Sequence, residues 1–371
     1  MTSRPDGVRL FGSDRPALFD DVVAEFDADP ASLVIDPGSA RELFRVEQPF
    51  GNHNFGQMAF DGGLAPGDPG YGQLYLGIGD GGGGNDPLDA AEELSLIYGK
   101  VLRIDPLADG DEPYAVPAGN PFAGTAGALP EVYAYGFRNP QALGFDEGRL
   151  FASDIGQSAV EEVNLVRRGA SHGWDDREGT FANEDGVVGL LPEGDAALGY
   201  QYPVIQYGHG EAAGSVAVAG GLVYRGDQLP GLDGAYLSTD FPSGRLFVLP
   251  GDLLDAATAD DLVGASEAYL PGEVRLVDAD GRETSFAEVA GNASGRVDLR
   301  LAELPSGEVI AFSKQDGTIY RLTPADGVLL EGADEAEVLA GSLGADTILG
   351  GAGDDVIYGD LAPEAVYDDG F

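Results

Sequence analysis

One of the three histidines in the 371-residue chain stands in a setting suited to proton transfer. His53 lies in the loop sequence PFGNHNFGQMAF, where glycine and asparagine surround it. Asp80 follows one predicted strand pair later, in the glycine loop GIGDGG. Imidazole is the side chain best suited to take a proton near neutral pH, and a carboxylate partner orients it. The pair predicts a general base with a supporting acid; the alternative is a structural or solvent-exposed loop histidine.

The glycine loop also fits the pattern G-x-G-x-x-G over residues 77–82. A dinucleotide-binding fingerprint needs a helix directly after the glycines, so that the helix N-terminus lies under the pyrophosphate. Here Asn85, Asp86 and Pro87 separate the glycines from the predicted helix 88–99, and no second βαβ unit follows. The sequence therefore argues against a nicotinamide enzyme and favours glycines that let the backbone pass close beneath a flat ligand or metal.

Two further loops carry groups that suit an anionic ligand and a calcium ion. GFRNPQ places Arg138 and Asn139 before a proline, where a guanidinium binds carboxylates, polarises a quinone oxygen or acts as a structural clamp. SDIGQSAVEEVNL offers backbone carbonyls around Gly156 and Gln157, followed by two glutamates. Hard oxygens of this kind suit Ca²⁺, although a solvated acidic turn has the same composition.

The elements that must position these loops are predicted to be β-strands. Short apolar and aromatic runs punctuated by Gly, Asp and Pro dominate the chain, and only 88–99 and the stretch near 252–262 favour helices. The clearest predicted strands are 72–79, 100–105, 131–136, 149–156, 220–226, 235–241, 245–250, 308–313 and 318–322. A strand, a polar turn and an aromatic-aliphatic strand recur along the chain, which predicts an all-β fold of propeller blades; an irregular sandwich is the alternative.

The tail has a different pattern. GSLGADTIL (341–349) and GGAGDDVIY (350–358) are consecutive nonapeptides of the calcium β-roll type, preceded by a degenerate copy at 332–340. In such a repeat the Asp supplies hard oxygen, which makes Asp346 and Asp355 candidate calcium ligands. We therefore predict a propeller over 1–323, a linker over 324–331 and a short parallel β-roll over 332–371; an accidental Gly/Asp linker is the alternative.

Charge and composition exclude several classes of protein. The chain has 64 acidic against 20 basic residues, a net charge of −44 and a pI near 4.1, which argues against a nucleic-acid or anionic-membrane binder. Cysteine is absent, so disulfides and thiolate sites are excluded. No apolar run approaches a membrane span, and no apolar segment follows the first basic residues as in a signal peptide. The chain is therefore cytoplasmic, leaves the cell without an N-terminal signal, or lacks its true N-terminus.

In their order along residues 20–323, the motifs resemble the pyrroloquinoline-quinone (PQQ)-dependent soluble glucose and aldose sugar dehydrogenases, the glucose/sorbosone dehydrogenase family. The segments that carry the resemblance are GNHNFGQMAF, LYLGIGDGGGGNDP, GKVLRIDP, YAYGFRNPQALGFD, SDIGQSAVEEVNLVRRGASHGW, YGHGEAAGSVAVAGGLVYRG and TDFPSGRLF. The resemblance implies a six-bladed propeller. About one to two blades would precede the matching segment, so we expect a chain truncated at its N-terminus.

The resemblance also implies a mechanism. His53 matches the family's catalytic base and Asp80 the acid that supports it. His53 would remove the proton of the sugar C1 hydroxyl while a hydride passes from C1 to the quinone, with Arg138 and calcium polarising the quinone carbonyl. The product would be a lactone, and an external acceptor would take the electrons.

Cofactor and metal contacts follow from the same resemblance. Gly156 and Gln157 match the pair whose carbonyls hold the calcium bound to PQQ, and Glu162 matches a ligand of a second, structural calcium. The implied cofactor contacts are Arg138, Asn139, Arg300 and, where the glucose enzymes carry a lysine, Arg245. Two residues after the catalytic histidine the family usually has a small residue. This chain has Phe55 there, which would narrow the sugar entrance.

The sequence thus predicts a secreted or periplasmic sugar dehydrogenase with a calcium-binding tail. The rival function is a non-catalytic extracellular binding propeller of the hedgehog-interacting type. The retained set of His53, Asp80 and Arg138 argues against that rival.

Overall fold

The computed structural model describes most of the chain, and its elements are nearly all strands. It describes residues 9–107, 110–209, 216–260, 262–274, 276–277, 282–291 and 296–324, together with four short strands between 329 and 358. The prediction of an all-β fold is confirmed for this part of the chain. The number of blades stays a prediction.

Strands follow one another through the whole described part of the chain. The first strands are β1 (Arg9–Phe11), β2 (Phe19–Glu25), β3 (Arg41–Gln48), β4 (Phe55–Phe60), β5 (Leu74–Ile78), β6 (Lys100–Ile104), β7 (Val132–Tyr135), β8 (Pro140–Asp146), β9 (Arg149–Asp154), β10 (Val160–Leu165), β11 (Arg177–Glu178), β12 (Phe181–Glu184) and β13 (Val187–Gly189). They are followed by β14 (Ile205–Gly208), β15 (Val218–Val223), β16 (Tyr236–Asp240), β17 (Leu246–Leu249), β18 (Gly272–Glu273), β19 (Leu276–Val277), β20 (Glu283–Thr284), β21 (Leu299–Glu303), β22 (Val309–Ser313) and β23 (Ile319–Arg321). The tail strands are β24 (Leu329–Glu331), β25 (Val338–Ala340), β26 (Thr347–Leu349) and β27 (Val356–Tyr358).

The helices are short. The α-helices are α1 (Gly251–Ala257) and α2 (Phe286–Val289), and single 3₁₀ turns occupy Pro37–Ser39, Asp195–Leu198, Pro230–Leu232 and Ala265–Glu267. None of the described helices is long and apolar enough to cross a membrane.

The chain divides into two compact units. The first comprises the described residues of 1–157 and 166–201, and the second those of 158–165 and from 202 onward. In the first unit, the antiparallel sheet β4-β5-β6-β7 buries all five residues of β5, and Leu76, Ile78 and Leu102 pack in its core. In the second unit, the antiparallel sheet β15-β16-β17-β18 buries β16 and β17 completely. Burial on both faces explains why β5 and β17 are continuous apolar runs rather than alternating ones, whereas the equally buried β16 ends in Ser238, Thr239 and Asp240.

The predicted strands are confirmed, but one of the two predicted helices is wrong. The segment 88–99 forms turns, while the stretch near 252–262 contains α1. Asp89 adopts a φ of +47°, outside the helical range, and the carbonyls of Ala90 and Ala91 accept from the Lys100 ammonium. The leucines of the segment that suggested a helical period pack on the core from successive turns instead.

The same segment bears on the rejected dinucleotide fingerprint. Strands β5 and β6 pair antiparallel, with Gly77 opposite Val101, and no helix lies between them. A dinucleotide-binding βαβ unit requires two parallel strands joined by a helix. The glycine loop therefore serves another purpose.

The tail strands pair in parallel at a constant offset. Leu329 lies opposite Thr347 and Val338 opposite Val356, so each strand pairs with the strand 18 residues later. That offset equals two nonapeptides.

Candidate active site

His53 and Asp80 meet because the strands that carry them are antiparallel neighbours. Phe55, the first residue of β4, lies opposite Ile78, the last residue of β5. The loop that precedes β4 and the loop that follows β5 therefore leave the sheet at the same end. There His53 Nδ1 lies 2.6 Å from Asp80 Oδ1, and both residues are buried. The sequence predicts that these two residues act as a pair, and the structure brings them into contact.

Glycines allow the two loops to lie this close. A Cβ on Gly79 would collide with the backbone carbonyl of His53, and a Cβ on Gly82 would lie 2.6 Å from the carbonyl oxygen of Asn52. Gly82 also has a φ of +98°, a conformation that other residues rarely adopt. His53 itself has a φ of +54°, and such strain in a non-glycine residue persists where the surrounding structure enforces it.

The Asp80 carboxylate accepts three hydrogen bonds. Its Oδ1 accepts from His53 Nδ1 and from the backbone N–H of Gly82 at 2.9 Å, and its Oδ2 accepts from the indole Nε1 of Trp174 at 2.9 Å. An indole and a backbone amide can only donate, so Asp80 is an acceptor here. It follows that Nδ1 of His53 carries the proton and that Nε2 is left as the basic nitrogen.

Arg138 joins this group through the end of β7. The backbone N–H of Asp80 donates to the backbone carbonyl of Arg138 at 2.8 Å. Its own backbone N–H and that of Asn139 donate to the two oxygens of the buried Asp154, at 2.9 and 2.5 Å. Burial raises the pKa of Asp154, and the two N–H donors oppose that shift. The guanidinium Nη1 donates to the carbonyls of Ile155 and Gly156, both at 2.8 Å.

The remaining part of the guanidinium suits an anionic or quinone oxygen. Its Cζ lies 5.5 Å from the ring centroid of Trp174, and its Nε is buried with no hydrogen-bond partner among the described residues. A buried donor without an acceptor is costly, so an oxygen supplied by a ligand would satisfy it. The donor set around Arg138 therefore fits a cofactor that carries carbonyl and carboxylate oxygens.

The loop after β9 brings the predicted calcium ligands to Arg138. The Gly156 carbonyl already accepts from Arg138, and a carbonyl oxygen has a second lone pair for a cation. Gln157 is held on both sides, since its N–H donates to Glu178 at 2.7 Å and its side-chain oxygen accepts from the N–H of Asn85 at 2.6 Å. Within the described residues, however, no three His, Asp or Glu side chains are grouped as a metal site. Backbone carbonyls would have to supply much of a calcium site here.

Three predicted residues belong to the second unit. Glu162, on β10, accepts from Asn164 at 3.1 Å. Arg245 forms an ion pair with Glu273 at 2.7 Å, and the Cζ of Arg300 lies 4.9 Å from the ring centroid of Phe241. Each of these residues contacts a neighbouring side chain, and its predicted role in binding calcium or the cofactor stays a prediction.

The predicted tail ligands Asp346 and Asp355 lie outside the described residues.

A buried lysine holds the loop that follows Asp80. The ammonium of Lys100 donates to the carbonyls of Ala90, Ala91 and Tyr98 at 2.6–2.8 Å, and burial lowers its pKa to about 7. Burial also raises the pKa of Asp86 to about 6, with the charges of other acidic residues adding to the shift. The loop is therefore held by ionisable side chains whose burial costs free energy and shifts their pKa values, which is typical of functional sites.

Sequence reasoning missed two contacts of the site. Trp174, in the sequence ASHGWDD, has the pattern of a plain core aromatic, but its indole N–H donates to Asp80. In the segment SDIGQ, the sequence directs attention to the carbonyls of Gly156 and Gln157 and not to Asp154. Its one signal is a carboxylate at the end of the predicted strand RLFASD, beside a glycine turn. Trp174 gives no such signal, because its contact depends on the distant turn at Gly136, to whose carbonyl its backbone N–H donates.

Comparison with known proteins places this geometry in a family. The sequence model for glucose/sorbosone dehydrogenase matches residues 38–283, two thirds of the chain and the whole of the His53, Asp80 and Arg138 region. The chain belongs to the glucose/sorbosone dehydrogenase family. The resemblance deduced from the motifs is thereby confirmed. The model for the RTX calcium-binding nonapeptide repeat (4 copies) matches residues 331–361, which confirms the repeat assignment of the tail.

The curated relatives of the chain include proteins named as dehydrogenases and proteins named otherwise. It is 32% identical to the HIPL1 protein of Arabidopsis thaliana over 252 residues, 61% of the chain and 34% of that protein. It is 29% identical to aldose sugar dehydrogenase YliI of Escherichia coli over 183 residues, 48% of the chain and 43% of that protein. It is 37% identical to quinoprotein glucose dehydrogenase B of Acinetobacter calcoaceticus over 84 residues, 22% and 16%. The chain thus spans less than half the length of these relatives.

A solved structure supports the fold. The soluble aldose sugar dehydrogenase of Escherichia coli in its apo form superposes with a TM-score of 0.52 at 20% identity, covering 81% of this chain and 74% of that one. At this identity the likeness concerns the fold alone.

Proposed function

We propose that the chain carries the active site of a PQQ-dependent aldose dehydrogenase, which oxidises the C1 hydroxyl of a sugar to the lactone. The observation that carries the proposal is the buried contact of 2.6 Å between His53 Nδ1 and Asp80 Oδ1, beside the guanidinium of Arg138. A base that is oriented by a carboxylate, next to a cation with an unsatisfied donor, suits removal of a proton from a substrate that is being oxidised.

His53 performs the proton transfer. Because Asp80 holds the proton on Nδ1, the lone pair of Nε2 accepts the C1 hydroxyl proton, and Asp80 then stabilises the imidazolium through the same hydrogen bond. Asp80 acts only as an acceptor in this step, because Gly82 and Trp174 keep donating to it.

Arg138, Asn139 and the carbonyls of Gly156 and Gln157 would hold PQQ and its calcium. When bound, PQQ supplies the acceptor for the hydride that leaves C1, and the calcium makes its carbonyl more electrophilic. Arg138 would bind and neutralise oxygens on the cofactor, and the backbone N–H groups of Arg138 and Asn139, which donate to Asp154, fix the backbone that carries the guanidinium. The names of the dehydrogenase relatives, one of them a quinoprotein, support this assignment. An external acceptor then takes the electrons.

The tail supports a location outside the cell. Its strands pair at an offset of two nonapeptides, as a β-roll with two repeats per coil requires. We extend the proposal to a calcium-stabilised β-roll and a secreted or periplasmic protein, because RTX-type sites bind calcium at the concentrations found outside cells.

The second candidate function is a non-catalytic binding propeller. It is favoured by the match to HIPL1, which covers more of the chain than the matches to the dehydrogenases. In a binding module, however, nothing maintains a buried base and its supporting acid. The retained contact between His53 and Asp80 therefore favours the enzyme.

One experiment separates the candidates. The purified chain is incubated with an aldose and an artificial acceptor dye, with PQQ plus Ca²⁺, with a nicotinamide cofactor, or with neither. We expect dye reduction with PQQ and Ca²⁺ alone. Turnover with the nicotinamide cofactor would overturn the assignment, and PQQ binding with no turnover on any aldose would favour the binding propeller.

A further inference from the structure

Trp174 is the only tryptophan of the chain and lies in the centre of the candidate active site. Its side chain is buried, and its indole Nε1 donates to Asp80 Oδ2 at 2.9 Å. The other oxygen of Asp80 faces Nδ1 of His53. The indole thus occupies one oxygen of the carboxylate, and the other faces the base.

The indole also has a second partner. The Cζ of Arg138 lies 5.5 Å from its ring centroid, within the range of a cation–π contact. The backbone N–H of Trp174 donates to the carbonyl of Gly136 at 3.0 Å, in the turn just before Arg138. Trp174 is therefore tied through its side chain to Asp80 and Arg138, and through its backbone N–H to the turn that precedes Arg138.

We infer that Trp174 is a positioning residue for both Asp80 and Arg138. Its N–H fixes the Asp80 carboxylate in the rotation that places Oδ1 at His53, and its ring supports the guanidinium from one face. The alternative is a core aromatic that only fills volume. The inference rests on the proposed function for its kinetic part, while the contact between Trp174 and Asp80 can be tested without it.

A single tryptophan permits an unusually clean test. Biosynthetic replacement of tryptophan by benzothienylalanine changes Trp174 alone and exchanges its N–H for sulfur in a ring of nearly the same shape. Incorporation of 5-fluorotryptophan is the matched control, because it keeps the N–H. Trp174→Phe is the genetic counterpart. Tyr114→Phe controls for losing a buried aromatic hydrogen bond elsewhere in the unit, since the Tyr114 hydroxyl donates to Glu131 at 2.7 Å.

Two readouts are measured for each protein. The first is kcat and KM for an aldose with PQQ and Ca²⁺; the second is the ¹H and ¹⁵N resonances of the His53 ring in the chain without cofactor, assigned with His53→Asn. A lost hydrogen bond to a charged group corresponds to a loss of roughly 10- to 10²-fold. We expect that loss in kcat, with little change in KM, for benzothienylalanine and Trp174→Phe, together with a shifted His53 Nδ1–H resonance. The 5-fluorotryptophan and Tyr114→Phe proteins should keep both values.

The outcomes separate this inference from the proposed function. If no cofactor supports turnover in the wild-type chain, the proposed function fails, and the His53 resonance still decides the role of Trp174. If benzothienylalanine leaves kcat within twofold and the His53 resonance unchanged, the Trp174 N–H does not position Asp80 and that part of the inference is overturned. If Trp174→Phe also leaves kcat within twofold, Trp174 is a volume-filling aromatic and the whole inference is overturned. Should Trp174→Phe fail to fold, the isosteric replacement decides alone.

Discussion

Replacing Asp80 by asparagine tests the arrangement of the site most closely. Asp80 receives three donors on two oxygens: His53 Nδ1, the Gly82 N–H and the Trp174 indole. An asparagine keeps the size of the side chain but has one acceptor oxygen and one amide group. Whichever way the amide is turned, at least one of the three donors loses its acceptor.

The two orientations of the amide have different consequences. If its oxygen faces His53, the amide nitrogen faces the Trp174 N–H, and two donors oppose each other. If its nitrogen faces His53, Nδ1 must accept, the ring proton moves to Nε2, and the base is lost. One lost hydrogen bond to a charged group in a site this buried is worth about 1.5–3 kcal/mol, or roughly 10- to 10²-fold in rate. We expect a fall in kcat of that size for Asp80→Asn, smaller than the loss for a change at His53.

The assay is aldose-dependent dye reduction with saturating PQQ and Ca²⁺, with kcat and KM measured separately. Asp68→Asn is the matched control, because Asp68 is an exposed carboxylate of the first unit that accepts from a backbone N–H at 2.8 Å. It should leave kcat unchanged. A wild-type kcat for Asp80→Asn would refute the orienting role of the carboxylate. A loss larger than that of the His53 change would make Asp80 the base or a metal ligand.

Three further predictions concern stability and calcium. Lys100→Met removes the donor from three buried carbonyls and should lower the free energy of unfolding by about 3 kcal/mol or more in urea titrations, whereas the exposed Lys314→Met should change it by less than about 0.5 kcal/mol. Burial raises the pKa of Asp86 to about 6, above its value of 3.8 in the unfolded chain. The carboxyl therefore stabilises the fold fully below pH 3.8, and this contribution is lost as the pH rises through 6. The free energy of unfolding of the wild type, relative to that of Asp86→Asn, should fall between about pH 4 and 6. Calcium at about 10⁻⁴–10⁻³ M should change the circular dichroism of the chain, and the double variant Asp346→Ala, Asp355→Ala should abolish that response; an equal response in both proteins would contradict the β-roll.

The strands were predictable because buried strands in this chain are short, apolar and separated by glycine, aspartate and proline. The contact between His53 and Asp80 was predictable because one residue precedes a strand and the other follows the next strand along the chain. When two consecutive strands pair antiparallel, these two loops lie at the same end of the sheet. The segment 88–99 was not predictable, because its apolar spacing imitates a helix while Lys100 takes the carbonyls that a helix would use. Trp174 was missed for a similar reason: its hydrogen bond to Asp80 spans 94 residues and depends on the turn at Gly136.

His53 is the proposed base of a PQQ-dependent sugar oxidation. The most direct measurement compares wild type with His53→Asn for aldose-dependent dye reduction and, in the same preparations, for PQQ binding in the presence of Ca²⁺. A general base contributes about 10²–10⁴-fold, so kcat should fall by at least about 10²-fold while PQQ binding is retained. A loss of less than about tenfold, with PQQ bound equally well by both proteins, would contradict the assignment of His53 as the base.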